Sequence, residues 1–242
     1  MRETLIFTDL ETGGIAEHCP IIQIGAVAVR QGRELATYEA KLQFMEEDCE
    51  AEALELNSYD RELWAREALG EKDALQGFGA FLSRFATVRK VSKAGNNYFV
   101  ARMVGFNSST FDFPRLRARY AAHDVFFPGD FHGPDVMQLA YWYFVAAGNW
   151  PEKCSMESLC RMFKVQSGRH DALGDARATV ELARKLFAKL HGGGNGNGRP
   201  HSGQHGQDNQ TGGQGPGHIS PAGKEGGAGA AIPASAPEHR PG

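Results

Sequence analysis

Residues 7–14 read FTDLETGG, a short apolar run that presents two acids, Asp9 and Glu11, and then breaks at Gly13 and Gly14. Side chains two apart on an extended chain point to the same face, so both carboxylates share one side of the strand. Like charges side by side repel and need either solvent or a cation to offset them. A solvated strand edge is one reading of the pair, and a functional site is the other.

The neighbouring segments give the fold class. TLIFTDL (4–10) reads as a buried strand, PIIQIGAVAVRQG (20–32) as a second ending in a turn, and ELATYEAKLQF (34–44) as a third. Together they predict an antiparallel meander. YDRELWAREA (59–68) is a short helix candidate, and EKDALQGFGAFLSRFA (71–86) is a helix with Leu75, Phe78, Leu82 and Phe85 at helical spacing. VRKVSKAGNNYFVAR (88–102) predicts a hairpin around AGNN that runs into an apolar strand, ARMVGF (101–106). Phe113-Pro114 opens a helix, with the proline suited to its first turn. Three more helices follow at 134–148, 155–165 and 171–194, with Ser155 a cap for the second and Leu173, Ala176, Val180, Phe187 and Leu190 forming a face of the third. A meander followed by mixed helices and strands predicts an α/β protein with a mixed central sheet flanked by helices.

Other acids fall where such scaffolds gather ligands. Asp112 follows a strand and the turn GFNSSTFD, and Asp175 lies near the start of the last helix, five residues after His170. Taken singly, Asp175 fits a helix N-terminus and His170 a capping or surface residue. On one continuous helix, five residues would turn His170 about 140° from Asp175, so His170 belongs on the loop before it.

The ordered motifs FTDLETGG, GFNSSTFD and RHDALGDA resemble those of the DnaQ-like 3'-to-5' exonucleases of the DEDDh type, across residues 1 to 190. The resemblance implies an RNase H-like fold and an exonuclease domain over 1–191. It also implies two Mg²⁺ or Mn²⁺ ions held by Asp9, Glu11, Asp112 and Asp175, with His170 as general base. In this scheme Asp9 bridges both ions, Glu11 and Asp175 complete one site, and Asp112 supports the second, partly through water. Clustered carboxylates suit hard cations, and two such ions about 3.5 to 4 Å apart can serve both the attacking and the leaving oxygen of a phosphodiester. Substrate contacts fall on Thr12, Gly13, Phe111 and Asn107. A core position for Phe111 and a loop-capping role for Asn107 are the alternatives. Asn107 precedes Asp112 by five positions, as in the oligoribonuclease and exonuclease I branches, where many proofreading subunits have four.

The leading expectation is release of nucleoside 5'-monophosphates from single-stranded or 3'-terminal DNA, in proofreading, repair or degradation, with a polymerase or other replication or repair protein as partner. RNA is the alternative substrate, and a non-catalytic nucleic-acid-binding subunit is a third reading. Arg89, Lys90, Lys93 and Arg102 make the hairpin basic, and Arg115 and Arg119 follow on the next helix; each group is either a phosphate track or a solvated face. Asp135 reads as a helix cap that also has the chemistry of a ligand. The net charge of −3 gives no global basic field, which leaves nucleic acid to local patches or metal. The four cysteines form no CxxC pair, as expected of thiols in a reducing, cytoplasmic setting. Residues 192–242, holding more than half of the 30 glycines, read as a disordered Gly/Pro/Gln-rich tail. The opening residues show no signal-peptide pattern, and no apolar run is long enough to span a membrane.

Overall fold

The computed structural model describes residues 3–192; of the tail expected to be disordered, Gly192 ends the last helix and residues 193–242 lie outside the described residues. The chain opens with β1 (Leu5–Thr12), β2 (Ile21–Arg30) and β3 (Arg33–Lys41), the anticipated meander. Short helices α1 (Ala51–Leu56) and α2 (Arg61–Glu67) lead to α3 (Glu71–Arg84). Then come β4 (Val88–Val91), β5 (Asn97–Val104), α4 (Asp112–Ala122), β6 (Gly129–Asp130), α5 (Val136–Ala147), α6 (Met156–Phe163) and α7 (Ala172–Gly192). The sheet order is β3-β2-β1-β5-β4, with β6 pairing with β5. β1 runs antiparallel to β2 and parallel to β5, making the sheet mixed.

Alternation along β1 sorts the core into two layers. Ile6 and Leu10 pack with Leu75, Phe78 and Leu82 of α3 and Leu116 and Tyr120 of α4. Phe7 points the other way, onto Val136, Ala140 and Phe144 of α5, Leu159 and Phe163 of α6, and Leu182 and Leu186 of α7. By the same two-residue period, Asp9 and Glu11 follow Phe7 toward the α7 side of the sheet.

Several boundaries differ from the sequence reading. β1 continues through Glu11 to Thr12, where the register with β2 shifts between Glu11 and Thr12. Bulges of this kind re-aim side chains beside active sites. α1 went unread because AEALEL buries none of its residues and so carries no periodic signature. β6, only two residues long, is too short for a pattern. The buried face of α7 is also rotated from the expected one: Ala172, Ala176, Thr179, Ala183 and Leu186 line it, while Phe187 is exposed. Small residues make that face, which a search for large apolar side chains misses.

Small size has a purpose here. A Cβ on Gly25 of β2 would lie 2.2 Å from the Ala172 carbonyl carbon, so only glycine lets the start of α7 sit on the sheet. Gly25 pairs with Asp9 across the ladder, which brings the first turn of α7 over the acids of β1.

Candidate active site

Asp175 lies in the first turn of α7 and organises the loop before it. Its Oδ1 accepts from the Gly168 backbone N–H at 2.9 Å and its Oδ2 from that of His170 at 3.1 Å. The two bonds curl residues 168–170 around the carboxylate and hold Arg169 and His170 at φ of 57° and 61°. Two consecutive left-handed non-glycine residues cost on the order of 1–3 kcal/mol each, a strain that clusters at functional loops. His170 therefore stands outside the helix, as its spacing required, and is an exposed residue. A ring nitrogen of His170 and carboxylate oxygens of Glu11 and Asp175 lie within 4.8 Å of one another.

Asp112 reaches the same place from the opposite layer. It is the first residue of α4, is 5% exposed, and its Oδ1 accepts from the Leu10 backbone N–H at 3.1 Å. That bond ties the second motif to the strand between Asp9 and Glu11. The loop leading to Asp112 is fixed in turn by Asp135, whose Oδ1 accepts from the N–H groups of Asn107 at 3.0 Å and Met137 at 2.9 Å. Asp135 is thus the cap of α5, as read from sequence, and a brace for the site loop.

Asp9, Glu11 and Asp175, with His170, line a cleft of about 230 Å³ closed by Phe106, Met156, Ser167 and Arg169. None of the four site carboxylates forms an ion pair with Lys or Arg among the described residues. Burial and the neighbouring acids Asp112, Glu11 and Asp175 push the Asp9 carboxyl well above the usual carboxylate range. Burial, then Asp175 and Asp112, raise Glu11 to about 8. Asp112 rises to about 7, mainly by burial, against backbone hydrogen bonds that lower it. Burial also raises Asp175, offset by its bonds to Gly168 and His170. Clustered, largely buried and mutually repelling oxygens with no Lys or Arg ion-pair partner among the described residues are a donor set that fits divalent ions with a preference for oxygen ligands.

The expected substrate residues border this cluster. The Thr12 hydroxyl donates to the Gly14 carbonyl at 2.8 Å, and a Cβ on Gly13 would meet the Cys49 sulfur at 2.4 Å, so the Gly-Gly turn is packed. Phe111 is half-buried, with the Arg115 guanidinium 3.7 Å above its ring. Asn107, at φ 56°, accepts from the Thr110 hydroxyl at 2.7 Å through its side chain, which shows the loop-capping role. Arg115 also donates to the backbone carbonyls of Ile15 and Ala16, and Arg119 pairs with Glu71, so both helix cations are engaged within the protein.

A family model described as the 3'-5' exoribonuclease Rv2179c-like domain matches residues 4–187. The chain belongs to this 3'-5' exonuclease family. Its fold is that of E. coli exonuclease I and is RNase H-like. The zinc-bound complex of that enzyme with single-stranded DNA matches with a TM-score of 0.60 at 17% identity, over 79% of this chain and 41% of the other. The complex with a dT13 oligonucleotide gives 0.59 at 16%, over 78% and 41%. A product-bound form gives 0.59 at 16%, over 78% and 44%. The chain thus spans less than half the length of the exonuclease I structures it matches. No curated protein matches it. Among the described residues no helix is long and apolar enough to cross a membrane.

Two positioning residues of this family member escaped the sequence reading. Gln23, the polar residue inside IIQIGAVAV, pairs with Glu11 in the ladder, and its Nε2 donates to Asp171 Oδ1 at 3.0 Å. Asp171 in turn accepts from the Gly174 N–H at 2.8 Å and caps α7. A single buried polar residue in an apolar strand was the available signal. It locks the helix that carries Asp175 to the strand pair that carries Glu11.

Proposed function

We propose that the chain is a divalent-metal-dependent exonuclease that removes nucleoside 5'-monophosphates from the 3' end of RNA. The observation that carries this reading is the convergence of four carboxylates from β1, α4 and α7, Glu11, Asp112 and Asp175 buried and Asp9 half-buried, none in an ion pair with Lys or Arg among the described residues, beside exposed His170. RNA stands ahead of DNA because the matching family is described by exoribonuclease activity over residues 4–187. Single-stranded DNA is the second reading, supported by the exonuclease I complexes that share the fold.

Asp9, Glu11, Asp112 and Asp175 would hold a pair of Mg²⁺ or Mn²⁺ ions, which supply charge stabilisation for an in-line displacement at phosphorus. His170 takes the proton of the attacking water, and the adjacent Glu11 and Asp175 carboxylates stabilise the imidazolium that results. The water oxygen bonds to phosphorus as the bond to the 3' oxygen of the penultimate nucleotide breaks, and that oxygen leaves as an oxyanion that takes a proton from solvent water to become the new 3' hydroxyl, while His170 returns its proton to solvent. Asp112, bound to the Leu10 N–H, fixes the strand end against which the scissile phosphate sits. We assign Thr12, Gly13 and Phe111 to the terminal nucleotide. Asn107 contributes its side-chain nitrogen, which has no partner among the described residues.

The test compares RNA and DNA oligonucleotides of one sequence in Mg²⁺, Mn²⁺ or EDTA, with products resolved as mononucleotides. The reading requires 5'-monophosphates in metal and none in EDTA, with kcat/KM higher on RNA. Preference for DNA would move the assignment to the second reading, and metal-independent release would refute the mechanism.

A further inference from the structure

Beside the catalytic cleft lies a larger groove of about 640 Å³ between the α6–α7 loop and the first half of α7. Ser167 and Arg169 line both hollows, so the groove adjoins the catalytic cleft at these two residues. Its wall carries four cations, Lys164, Arg169, Arg177 and Lys185, against one acid, Glu181. Glu181 is itself paired with Arg184 at 2.6 Å. Arg177 is engaged with Glu34 at 3.1 Å, and Lys185 donates to the carbonyls of Phe163 and Lys164 at 2.8 and 2.9 Å. The exposed side chains of Lys164 and Arg169 make no hydrogen bond or ion pair among the described residues. A positive groove leading away from a cluster of acids suits a polyanion whose reacting end enters that cluster.

The other basic region does not. Lys90 and Arg102 are both spent on Asp130, at 3.0 and 2.6 Å, and Arg89 donates to Asn97. β4 pairs with the start of β5, while β1 pairs with its end, so the hairpin lies at the opposite end of the sheet from Asp9 and Glu11. At about 3.3 Å per strand residue, that separation is on the order of 20–30 Å.

We propose that the groove bounded by Lys164 and Arg169 is the track for the substrate strand, seating phosphates upstream of the scissile bond. This rests on the exonuclease reading of the adjoining cleft. The contacts are to backbone phosphate, so the groove adds affinity for longer strands without choosing among bases.

The test uses Lys164→Gln/Arg169→Gln and, on the hairpin, Arg89→Gln/Lys93→Gln. Because Lys164 and Arg169 have no partner among the described residues, their replacement orphans no group there, and unchanged melting temperature checks the fold. Binding of a fluorescein-labelled ten-residue oligouridine is read by anisotropy in EDTA across a salt series. The groove variant should bind about tenfold more weakly, with the salt slope reduced by about 0.7 per lost phosphate contact. Its kcat/KM on the ten-residue strand, relative to a dinucleotide, should fall by a similar factor, while the hairpin variant tracks the parent. Parental affinity and slope in the groove variant, or a loss carried by the hairpin variant instead, would overturn the proposal. A parent that binds through the groove yet releases no nucleotide would refute the exonuclease reading alone.

Discussion

Asp175 has two tasks, supplying charge to the acidic cluster and accepting the two N–H bonds that shape the His170 loop. Asp175→Asn removes the charge and keeps an acceptor oxygen for only one of the two N–H groups, so the rise in melting temperature with Mg²⁺ or Mn²⁺ should shrink. An ion at 100 times its Kd stabilises by about 2.7 kcal/mol, a difference that calorimetry resolves. His170→Ala should separate from it, keeping the metal response while the rate falls by roughly 10²- to 10⁴-fold. Equal loss of the metal response in both variants would make His170 a ligand. These residues were legible in the sequence because their motifs are local: Asp9 and Glu11 on one strand, His170 and Asp175 within one turn-and-helix. The Gln23–Asp171 bond was not, since it joins positions far apart in the chain and Gln23 lies outside the motifs, although Asp171 falls within RHDALGDA.

At the scale of elements, the site depends on how closely α7 approaches β2. The missing Cβ of Gly25 leaves room for the backbone of Ala172 and Leu173, and a methyl there has no flexible side chain to displace. Gly25→Ala should lower stability by about 1–3 kcal/mol through overpacking and, by lifting α7, weaken the metal response as well. A variant with parental melting behaviour would show that α7 tolerates the shift. The meander and the amphipathic α3 were readable because large apolar residues recur at their proper periods. The α7 face was misread because close helix-to-sheet packing selects alanine and threonine, which leave a faint hydrophobic signal. Likewise α1 and β6 are set by the tertiary structure around them and not by their own pattern.

For the molecule as a whole, the acidic cluster links stability to pH. Glu11 and Asp112 titrate near 8 and 7 in the folded protein, against about 4 when unfolded. The folded state therefore binds more protons, and the stability this contributes is complete below about pH 4 and lost as pH rises through 7 to 8. The metal-free protein should melt at progressively lower temperature from pH 5 to 8, whereas stabilisation by Mn²⁺ should grow over the same range as ions replace protons. Thermal scans with and without Mn²⁺ at each pH check both slopes, and a metal-free protein that gains stability toward pH 8 would contradict the picture of an uncompensated cluster.

The central claim, that this cluster shortens a strand from its 3' end with the help of bound ions, is met most directly by one time course. A 5'-labelled RNA oligonucleotide and a circular strand of the same sequence are incubated with the protein in Mg²⁺ and in EDTA. The account predicts a ladder of 5'-labelled fragments shortening one nucleotide at a time in Mg²⁺, an intact circle, and no change in EDTA. Internal cuts in the circle, immediate release of the 5' label as a mononucleotide, or an undiminished ladder in EDTA would contradict it.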